Sequence, residues 1–130
     1  MSVTVIVDHD QRRVFARCTG VVTCADMERH LQIEERPGEI TYSGLMDCRG
    51  CETNMSVAEA RSLAFRIHTR RSGLNRGPTA IVADGDVMYG MARLFATLTD
   101  VTSDGAGAPV GVFRDMHDAE QWLAQGSLTR

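Results

Sequence analysis

Two cysteines three positions apart, Cys48 and Cys51, form the pattern in this chain that most directly suggests chemistry. A CxxC pair can cycle between dithiol and disulfide, or supply two of the four ligands of a zinc site. In redox pairs the first cysteine opens a helix, whose dipole lowers the thiol pKa, but here the next helix begins only near Ser56. Zinc would need two further ligands, and Cys18 and Cys24 are not spaced as a second pair. We therefore expect small buried thiols and no metal.

Three aspartates fall near the predicted carboxyl ends of neighbouring strands: Asp47, Asp84 and Asp86. Close carboxylates can bind a hard cation or act as general acid and base. However, Asp86 is expected to cap a helix, and Asp84 to form a turn with Gly85. The four histidines are scattered, without metal-ligand spacing. We therefore expect no catalytic residues and no cofactor.

Ser56 precedes a predicted helix, and Glu59 follows it with the spacing of a capping box. The serine hydroxyl is therefore expected to accept a bond from a first-turn amide, which stabilises a helix by about 1 kcal/mol. The alternative is a phosphate on Ser56, because the helix dipole and the free amides favour an anion at this end.

Alternating hydrophobic patterns place these residues on an α/β framework. Strands are predicted over residues 4–7, 13–22, 41–46, 79–83 and 110–113. Helices are predicted to begin at Thr23, Ser56, Asp86 and Asp115, the first with Asp26 and the last with Asp118 as capping partners. The order ββαβαβαβα predicts an opening antiparallel hairpin and helical crossovers between the later strands. The expected fold is one α/β domain over residues 1–130, with a mixed sheet of about five strands and four helices.

Apolar stripes on the helices predict which residues pack inward. The stripe of the second helix is Val57, Ala60, Leu63, Ala64 and Ile67. The stripe of the third helix is Val87, Met91, Leu94, Phe95 and Leu98. Met88 and Tyr89, together with Met91 and Phe95, could line a pocket against the sheet that suits an apolar ligand or a partner helix. Such a stripe is more often plain core.

The composition excludes several classes of function. All fourteen basic residues are arginine, which rules out a Walker A lysine and Schiff-base lysine chemistry. The net charge of -3 and the few aromatic residues argue against nucleic-acid binding. No segment approaches the ~20 apolar residues of a membrane span, and the N-terminal run does not resemble a signal peptide. We therefore expect a cytoplasmic location, where the cysteines stay reduced.

Three local motifs, spread over nearly the whole chain, resemble a known family. They are residues 45–50 (LMDCRG), 80–95 (AIVADGDVMYGMARLF) and 112–123 (VFRDMHDAEQWL). The first is similar to a strand ending in Asp-apolar-Arg/Ser-Gly, the second to a strand, turn and Tyr-Gly-x-Ala-Arg helix, and the third to a closing strand and Ala-x-x-Trp-Leu helix. This set resembles the STAS domains of anti-sigma-factor antagonists, and more closely their SpoIIAA-like branch of small bacterial proteins.

The resemblance implies a STAS-like fold and a role in regulation. In the regulatory antagonists a partner kinase phosphorylates a serine that opens the helix after the third strand, and Ser56 falls at that position. Those members have aspartate before the serine and a small residue plus glycine after it, whereas Met55 precedes Ser56 here and Val57 and Ala58 follow. For the SpoIIAA-like branch, the resemblance implies regulation or apolar-ligand binding.

The sequence therefore predicts a non-enzymatic regulatory or protein-binding domain that forms a homodimer. The loop after the third strand and the start of the third helix would be its recognition surface. The expected binding residues are Asp47, Arg49, Ser56, Asp84, Met88 and Tyr89. The alternative is a carrier or sensor of a small apolar or lipid-like ligand, and a CxxC redox or zinc protein is less favoured.

Overall fold

A five-stranded mixed sheet with helices on both faces is the frame of the protein. The computed structural model describes residues 2–34, 42–71, 77–102 and 109–128. In chain order the elements are β1 Ser2–Asp8, β2 Arg13–Thr19, β3 Val21–Val22, α1 Cys24–Glu34, β4 Ser43–Asp47, β5 Glu52–Thr53, α2 Val57–Arg71, β6 Thr79–Val82, α3 Asp86–Thr102, β7 Val110–Phe113 and α4 Met116–Leu128. The predicted fold class is confirmed. The structure also has a second, two-stranded sheet, formed by β3 and β5. The predicted start of the third strand at residue 41 lies outside the described residues.

The main sheet has the strand order β1-β2-β4-β6-β7. β1 and β2 are antiparallel, as expected for strands joined by a short turn. β2, β4, β6 and β7 are parallel to one another, because a helix crosses over between each successive pair. Parallel strands end at the same side of a sheet. The segments that follow β4, β6 and β7 therefore meet at one carboxyl edge.

The second strand is shorter than the sequence predicts. One strand was expected over residues 13–22, whereas β2 ends at Thr19 and the next two strand residues form β3. Gly20 separates them with a φ of 74°, a conformation that residues with a side chain rarely adopt. Beyond this break, β3 pairs in parallel with β5, and the amide of Glu52 donates to the carbonyl of Gly20 at 2.9 Å. The pair ties the loop after β4 to the end of β2.

The two faces of the sheet bury separate apolar clusters. Along β2, Ala16 and Cys18 belong to the cluster beneath α1 and α3, while Phe15 packs in the cluster beneath α4. β4 alternates in the same way, with Met46 on the first face and Leu45 in the second cluster. α4 therefore covers one face, and α1, α2 and α3 share the other.

Side-chain caps begin α1 and α4 as predicted, and the cap of α1 is reciprocal. The amide of Thr23 donates to the Asp26 carboxylate at 3.0 Å, and the amide of Asp26 donates to the Thr23 hydroxyl at 3.2 Å. At α4, the Asp118 amide donates to the Asp115 carboxylate at 2.8 Å. These bonds satisfy first-turn amides that have no partner within the helix.

The predicted cap of α3 is wrong by one residue. Asp86 is the first residue of the helix, and the amide of Tyr89 donates to the carbonyl of Gly85 at 2.8 Å. Gly85 therefore holds the cap position, where glycine is well tolerated. The Asp86 carboxylate instead accepts a bond from Arg114.

The predicted stripes of α2 and α3 are wrong at their first residues. Val57 is 50% exposed and Val87 is 74% exposed. Both helices follow strands of the parallel sheet, so their first turns stand at its carboxyl edge rather than over its face. Ala60, Leu63 and Ala64 are buried, and Met91, Leu94, Phe95 and Leu98 are half-buried. The side chain of Ile67 lies outside the described part of the chain.

No helix within residues 2–34, 42–71, 77–102 and 109–128 is both long enough and apolar enough to cross a membrane.

Candidate functional site

The carboxyl edge of the sheet brings three of the predicted site residues together. Asp47 ends β4, Arg49 follows it in the next turn, and Asp84 stands two residues after β6. The amide of Gly50 donates to the Asp84 carboxylate at 3.0 Å, which joins the turn after β4 to the segment after β6. Ser56 immediately precedes α2, and its amide and hydroxyl bond to Glu59 of that helix.

Asp47 is the buried centre of the group, with only 8% of its surface exposed. Arg17 donates to its Oδ2 at 2.7 Å, and the Arg49 side chain donates to Oδ1 at 2.9 Å and to Oδ2 at 3.0 Å. The amide of Arg49 also donates to Oδ1 at 3.1 Å. Burial raises the pKa of Asp47, but the hydrogen bonds from Arg49 and the charges of Arg49 and Arg17 outweigh it and hold the pKa below its ordinary 3.8. The carboxylate is thus ionised and fully engaged, which is unfavourable for a general acid or base.

Sequence reasoning missed Arg17 as a member of this group. Arg17 lies opposite Asp47 in the parallel register of β2 and β4. The two residues are 30 positions apart, so no local spacing links them. Only the strand pairing could have identified the contact.

A tight turn presents Arg49 at the surface. The amide of Cys51 donates to the carbonyl of Cys48 at 3.1 Å, and Gly50 has a φ of 77°. A positive φ at the second central position is typical of a type II turn and favours glycine there. The Arg49 side chain stays 42% exposed even while it binds Asp47. One side of its guanidinium therefore remains available to solvent or to a partner.

The cysteines of the CxxC pattern are buried, as predicted. Cys48 is 1% exposed and Cys51 6%, and Cys18, at 0%, belongs to the same cluster. The Cys51 thiol donates to the carbonyl of Cys18 at 2.8 Å. Hydrogen bonds to the other two thiols, together with burial, raise the pKa of Cys48, whereas the hydrogen bond with Cys48 lowers the pKa of Cys51 despite its burial. Cys24 stands apart in α1, with its sulfur 3.8 Å from Glu28 Oε1.

No group of three histidine, cysteine or acidic side chains suited to a metal ion is found within residues 2–34, 42–71, 77–102 and 109–128. The thiol cluster of Cys18, Cys48 and Cys51 is instead part of the apolar core, among residues such as Val22 and Ile81. Thiols in such surroundings behave as small apolar side chains.

Ser56 forms the predicted capping box. Its amide donates to the Glu59 carboxylate at 3.0 Å, and its hydroxyl accepts the Glu59 amide at 3.1 Å. The serine is exposed. Its hydroxyl therefore has a structural role at the end of α2 while remaining open to solvent.

Tyr89 and Met88 face different surroundings. The guanidinium of Arg114 lies 4.0 Å from the centre of the Tyr89 ring and also donates to Asp86 at 2.8 Å and to the carbonyl of Asp84 at 3.2 Å. Tyr89 thus belongs to a polar cluster between α3 and the end of β7, outside the apolar cavity that it was expected to line. Met88 does line that cavity. Consecutive helix residues point about 100° apart, which explains the difference.

The apolar cavity has a volume of about 80 Å³ and lies between the sheet and the helices α1, α2 and α3. Five methionines contribute to its wall: Met27, Met46, Met55, Met88 and Met91. The hydroxyls of Thr53 and Thr99 at the wall donate to backbone carbonyls, at 2.8 Å and 2.9 Å. The interior is therefore apolar and adaptable.

No protein-family model matches the chain, and none of the curated proteins matches it. A solved structure from Shewanella loihica PV-4, described as an uncharacterized protein from the DUF3478 family with a SpoIIAA-like fold, is similar to it. The two chains are 18% identical, the match covers 94% of this chain and 92% of that chain, and the TM-score is 0.57. At this identity the similarity establishes the fold. The protein is therefore a mixed α/β protein with a SpoIIAA-like fold, as its motifs predict.

Proposed function

We propose that the protein is a non-enzymatic binding protein that holds a small apolar molecule in the cavity beneath α3. The observation that carries the proposal is the wall of this cavity, which is built mainly from aliphatic, aromatic and thioether groups, with Thr53, Thr79 and Thr99 among them. The hydroxyls of Thr53 and Thr99 are already bonded to the backbone, so a polar ligand group would find no free partner in them. The cavity thus favours a ligand without hydrogen-bonding groups.

The titratable groups near the cavity support a role without catalysis. Asp47 is neutralised by two guanidinium groups, and the Cys48 thiol is buried with a raised pKa. A general base or a nucleophile needs an accessible group with a pKa near the working pH. Neither Asp47 nor Cys48 has both properties, and Cys51, whose pKa is lowered, is buried with its thiol donating to the Cys18 carbonyl.

The size of the cavity sets the size of the ligand. An engineered apolar cavity of about 150 Å³ accommodates benzene. The cavity of about 80 Å³ is roughly half as large. Methionine side chains, however, have three rotatable bonds and repack at low cost. We therefore expect single-ring or short-chain apolar molecules to enter by displacing Met55, Met88 or Met91.

Methyl NMR of the methionines provides the test. With ¹³C-methyl methionine labelling, benzene should shift the signals of Met27, Met55, Met88 and Met91 in a saturable manner. Met116 is the internal control, because it packs on the opposite face of the sheet beneath α4. Equal shifts at Met116, or unchanged signals at the cavity up to the solubility of benzene, would overturn the proposal.

A cavity-filling variant sharpens this experiment. Ala92 is buried and lines the cavity. Ala92→Leu should occupy the space and abolish the benzene-induced shifts, whereas Ala58→Leu on the exposed start of α2 should leave them unchanged. Both variants need a wild-type-like spectrum before benzene is added.

A second candidate function is recognition of a protein partner at the carboxyl edge of the sheet. The observation that favours it is that the segments after β4 and β6 expose the side chains of Arg49, Val57 and Val87, the two valines by 50% and 74%. Apolar groups next to a charge are typical of the centre and rim of interfaces. Ser56→Asp keeps a residue that can cap α2, and Val87→Asp places a charge at an exposed apolar position. Both variants should lose any complex that the wild type forms. The control, Glu120→Arg on α4, should keep it. Retention by the first two variants would exclude this surface.

A further inference from the structure

Three buried thiols meet where β2 and β4 end, and the function proposed above makes no use of their chemistry. Cys18 is the second-last residue of β2, Cys48 directly follows β4, and Cys51 directly precedes β5. All three belong to one cluster and are free thiols. Cys24 lies in α1 and contacts Glu28 instead. The fold therefore brings the CxxC pair and a third thiol together.

The turn after β4 holds Cys48 and Cys51 at a separation that suits a disulfide. The amide of Cys51 donates to the carbonyl of Cys48 at 3.1 Å, so these are the first and last residues of a β-turn. The Cα atoms of such residues lie within about 7 Å of each other, and disulfides bridge Cα separations of about 4.4–6.8 Å. The two thiols also form a hydrogen bond, which is the main cause that lowers the pKa of Cys51. A disulfide between them therefore requires little movement of the backbone.

Cys51 is the thiol of this cluster that a small oxidant reaches first. It is 6% exposed, whereas Cys48 is 1% exposed and Cys18 is fully buried. The hydrogen bond with Cys48 and the charge of Arg17 lower its pKa despite burial, and the thiolate is the nucleophilic form. The strands next to it, β3 and β5, pair over only two residues each. Such a short pair opens more readily than the main sheet, and each opening exposes Cys51 further.

We propose that Cys51 and Cys48 form a peroxide-sensitive dithiol, which closes to a disulfide within the turn that carries Arg49. The Cys51 thiolate attacks one oxygen of hydrogen peroxide, the O–O bond breaks, and a sulfenic acid forms as the first water leaves. Cys48 sulfur then attacks the sulfenic sulfur, and the S–S bond forms as the hydroxyl group leaves with the Cys48 proton as a second water. Two thiols and one peroxide thus give one disulfide and two waters. A small thiol reverses the change by exchange.

Oxidation removes a hydrogen bond that ties this turn to β2. In the dithiol form the Cys51 thiol donates to the carbonyl of Cys18 at 2.8 Å, and a disulfide sulfur has no hydrogen to donate. The next residue, Glu52, begins β5, and its amide donates to the carbonyl of Gly20. Loss of the thiol bond should therefore loosen the β3–β5 pair and speed hydrogen exchange of the Glu52 amide by about tenfold.

Peptide mapping of the Cys24→Ser variant after treatment of the native protein with hydrogen peroxide tests the proposal. This variant removes the half-buried thiol outside the cluster. Trypsin cleaves after Arg49, inside the turn, so a Cys48–Cys51 disulfide holds two peptides together until it is reduced. Adding Cys18→Ala, the matched control, should keep this link. Adding Cys48→Ala should abolish it and leave on Cys51 a sulfenic acid that dimedone traps.

Circular dichroism before oxidation confirms the fold of each variant, and the Cys24→Ser protein keeps the test valid if a cluster variant fails to fold. A link from Cys18 to either of the other two thiols would overturn the proposal. So would a cluster that stays reduced in excess peroxide while the fold is native. Hydrogen exchange of the Glu52 amide, compared between the reduced and oxidised protein, is the second measurement, and an unchanged rate would contradict the coupling to β5.

Discussion

Asp47 organises the carboxyl edge because it is buried and bound from two directions. Arg17 reaches it from the neighbouring strand, and Arg49 reaches it from the turn that follows. Removing a partner from a buried carboxylate is costly, because the charge or the remaining polar groups are then left unpaired. The turn that carries Arg49 is therefore held in one geometry, whether or not a partner binds it.

Asp47→Asn should destabilise the fold by about 1–2 kcal/mol at pH 7. Hydrogen bonds to an ionised group contribute about 1.5–3 kcal/mol, and we take the lower part of that range because Arg17 and Arg49 are half-exposed and solvent screens them. Urea denaturation of the variant and of the wild type measures the difference, with Asp10→Asn as an exposed control.

The pH dependence of this difference in stability tests the direction of the Asp47 pKa shift. The pKa of Asp47 is lowered in the folded state, so its contribution is complete above the unfolded pKa of about 3.9 and is lost as the pH falls through the folded value. The gap between wild type and Asp47→Asn should therefore be constant from pH 7 to about pH 5 and close in acid. A gap that widens as the pH falls would contradict the assignment.

At the scale of the elements, β7 packs closely against its neighbours at Gly111. A Cβ on Gly111 would lie 2.8 Å from the ring of Phe113 and 3.2 Å from Trp122. These two rings pack against each other with their centroids 5.5 Å apart beneath α4. The glycine thus lets β7 and α4 approach each other, and the aromatic pair fills the space that a side chain would occupy.

Gly111→Ala should lower the free energy of unfolding by about 1–3 kcal/mol, the usual range for overpacking a filled site. Gly90→Ala is the matched control, because its methyl group meets no neighbour within 4 Å and should raise the free energy of unfolding by up to about 1 kcal/mol. Thermal unfolding at low protein concentration compares the two. Equal effects of both substitutions would show that the Phe113–Trp122 pair moves aside freely.

The parts of the structure that could be predicted are those encoded locally. The capping boxes at Thr23 and Ser56 follow from residues three positions apart, and both have the expected bonds. The end of β2 could not be predicted in this way, because the apolar residues continue through Gly20 into β3. Whether a glycine within such a run adopts a positive φ depends on where its neighbours pair, which is a property of the whole sheet.

The candidate site shows the same difference. Positions set by helix periodicity could be predicted, whereas contacts that depend on strand pairing could not. Met88 lines the apolar cavity because helix periodicity places it towards the sheet, whereas Tyr89 lies one residue further round the helix and joins Arg114. Arg17 could not be found, since its contact with Asp47 depends on the register of two strands. The exposure of Val57 depends on where the sheet ends beneath α2, which the spacing within the helix does not encode.

At the scale of the whole molecule, the sheet separates two packing systems that can be observed independently. Trp122 is the single tryptophan and packs beneath α4, while the methionine-lined cavity lies on the other face. An apolar ligand in the cavity therefore has no direct contact with the tryptophan. Its effect on that residue can come only through the stability of the common fold.

This separation leads to a prediction for thermal unfolding followed by Trp122 fluorescence. Benzene at tenfold its Kd should stabilise the folded state by about 1.4 kcal/mol, because it binds the folded chain and not the unfolded one. For a chain of 130 residues, that free energy corresponds to a rise in Tm of about 5 °C. The native emission spectrum should stay unchanged, and Ala92→Leu, which fills the cavity, should remove the rise in Tm. A changed native spectrum, together with a rise in Tm that Ala92→Leu does not remove, would place the ligand beside α4 instead, since contact with the indole alters its emission directly whereas occupancy of the opposite face acts only through the unfolding equilibrium.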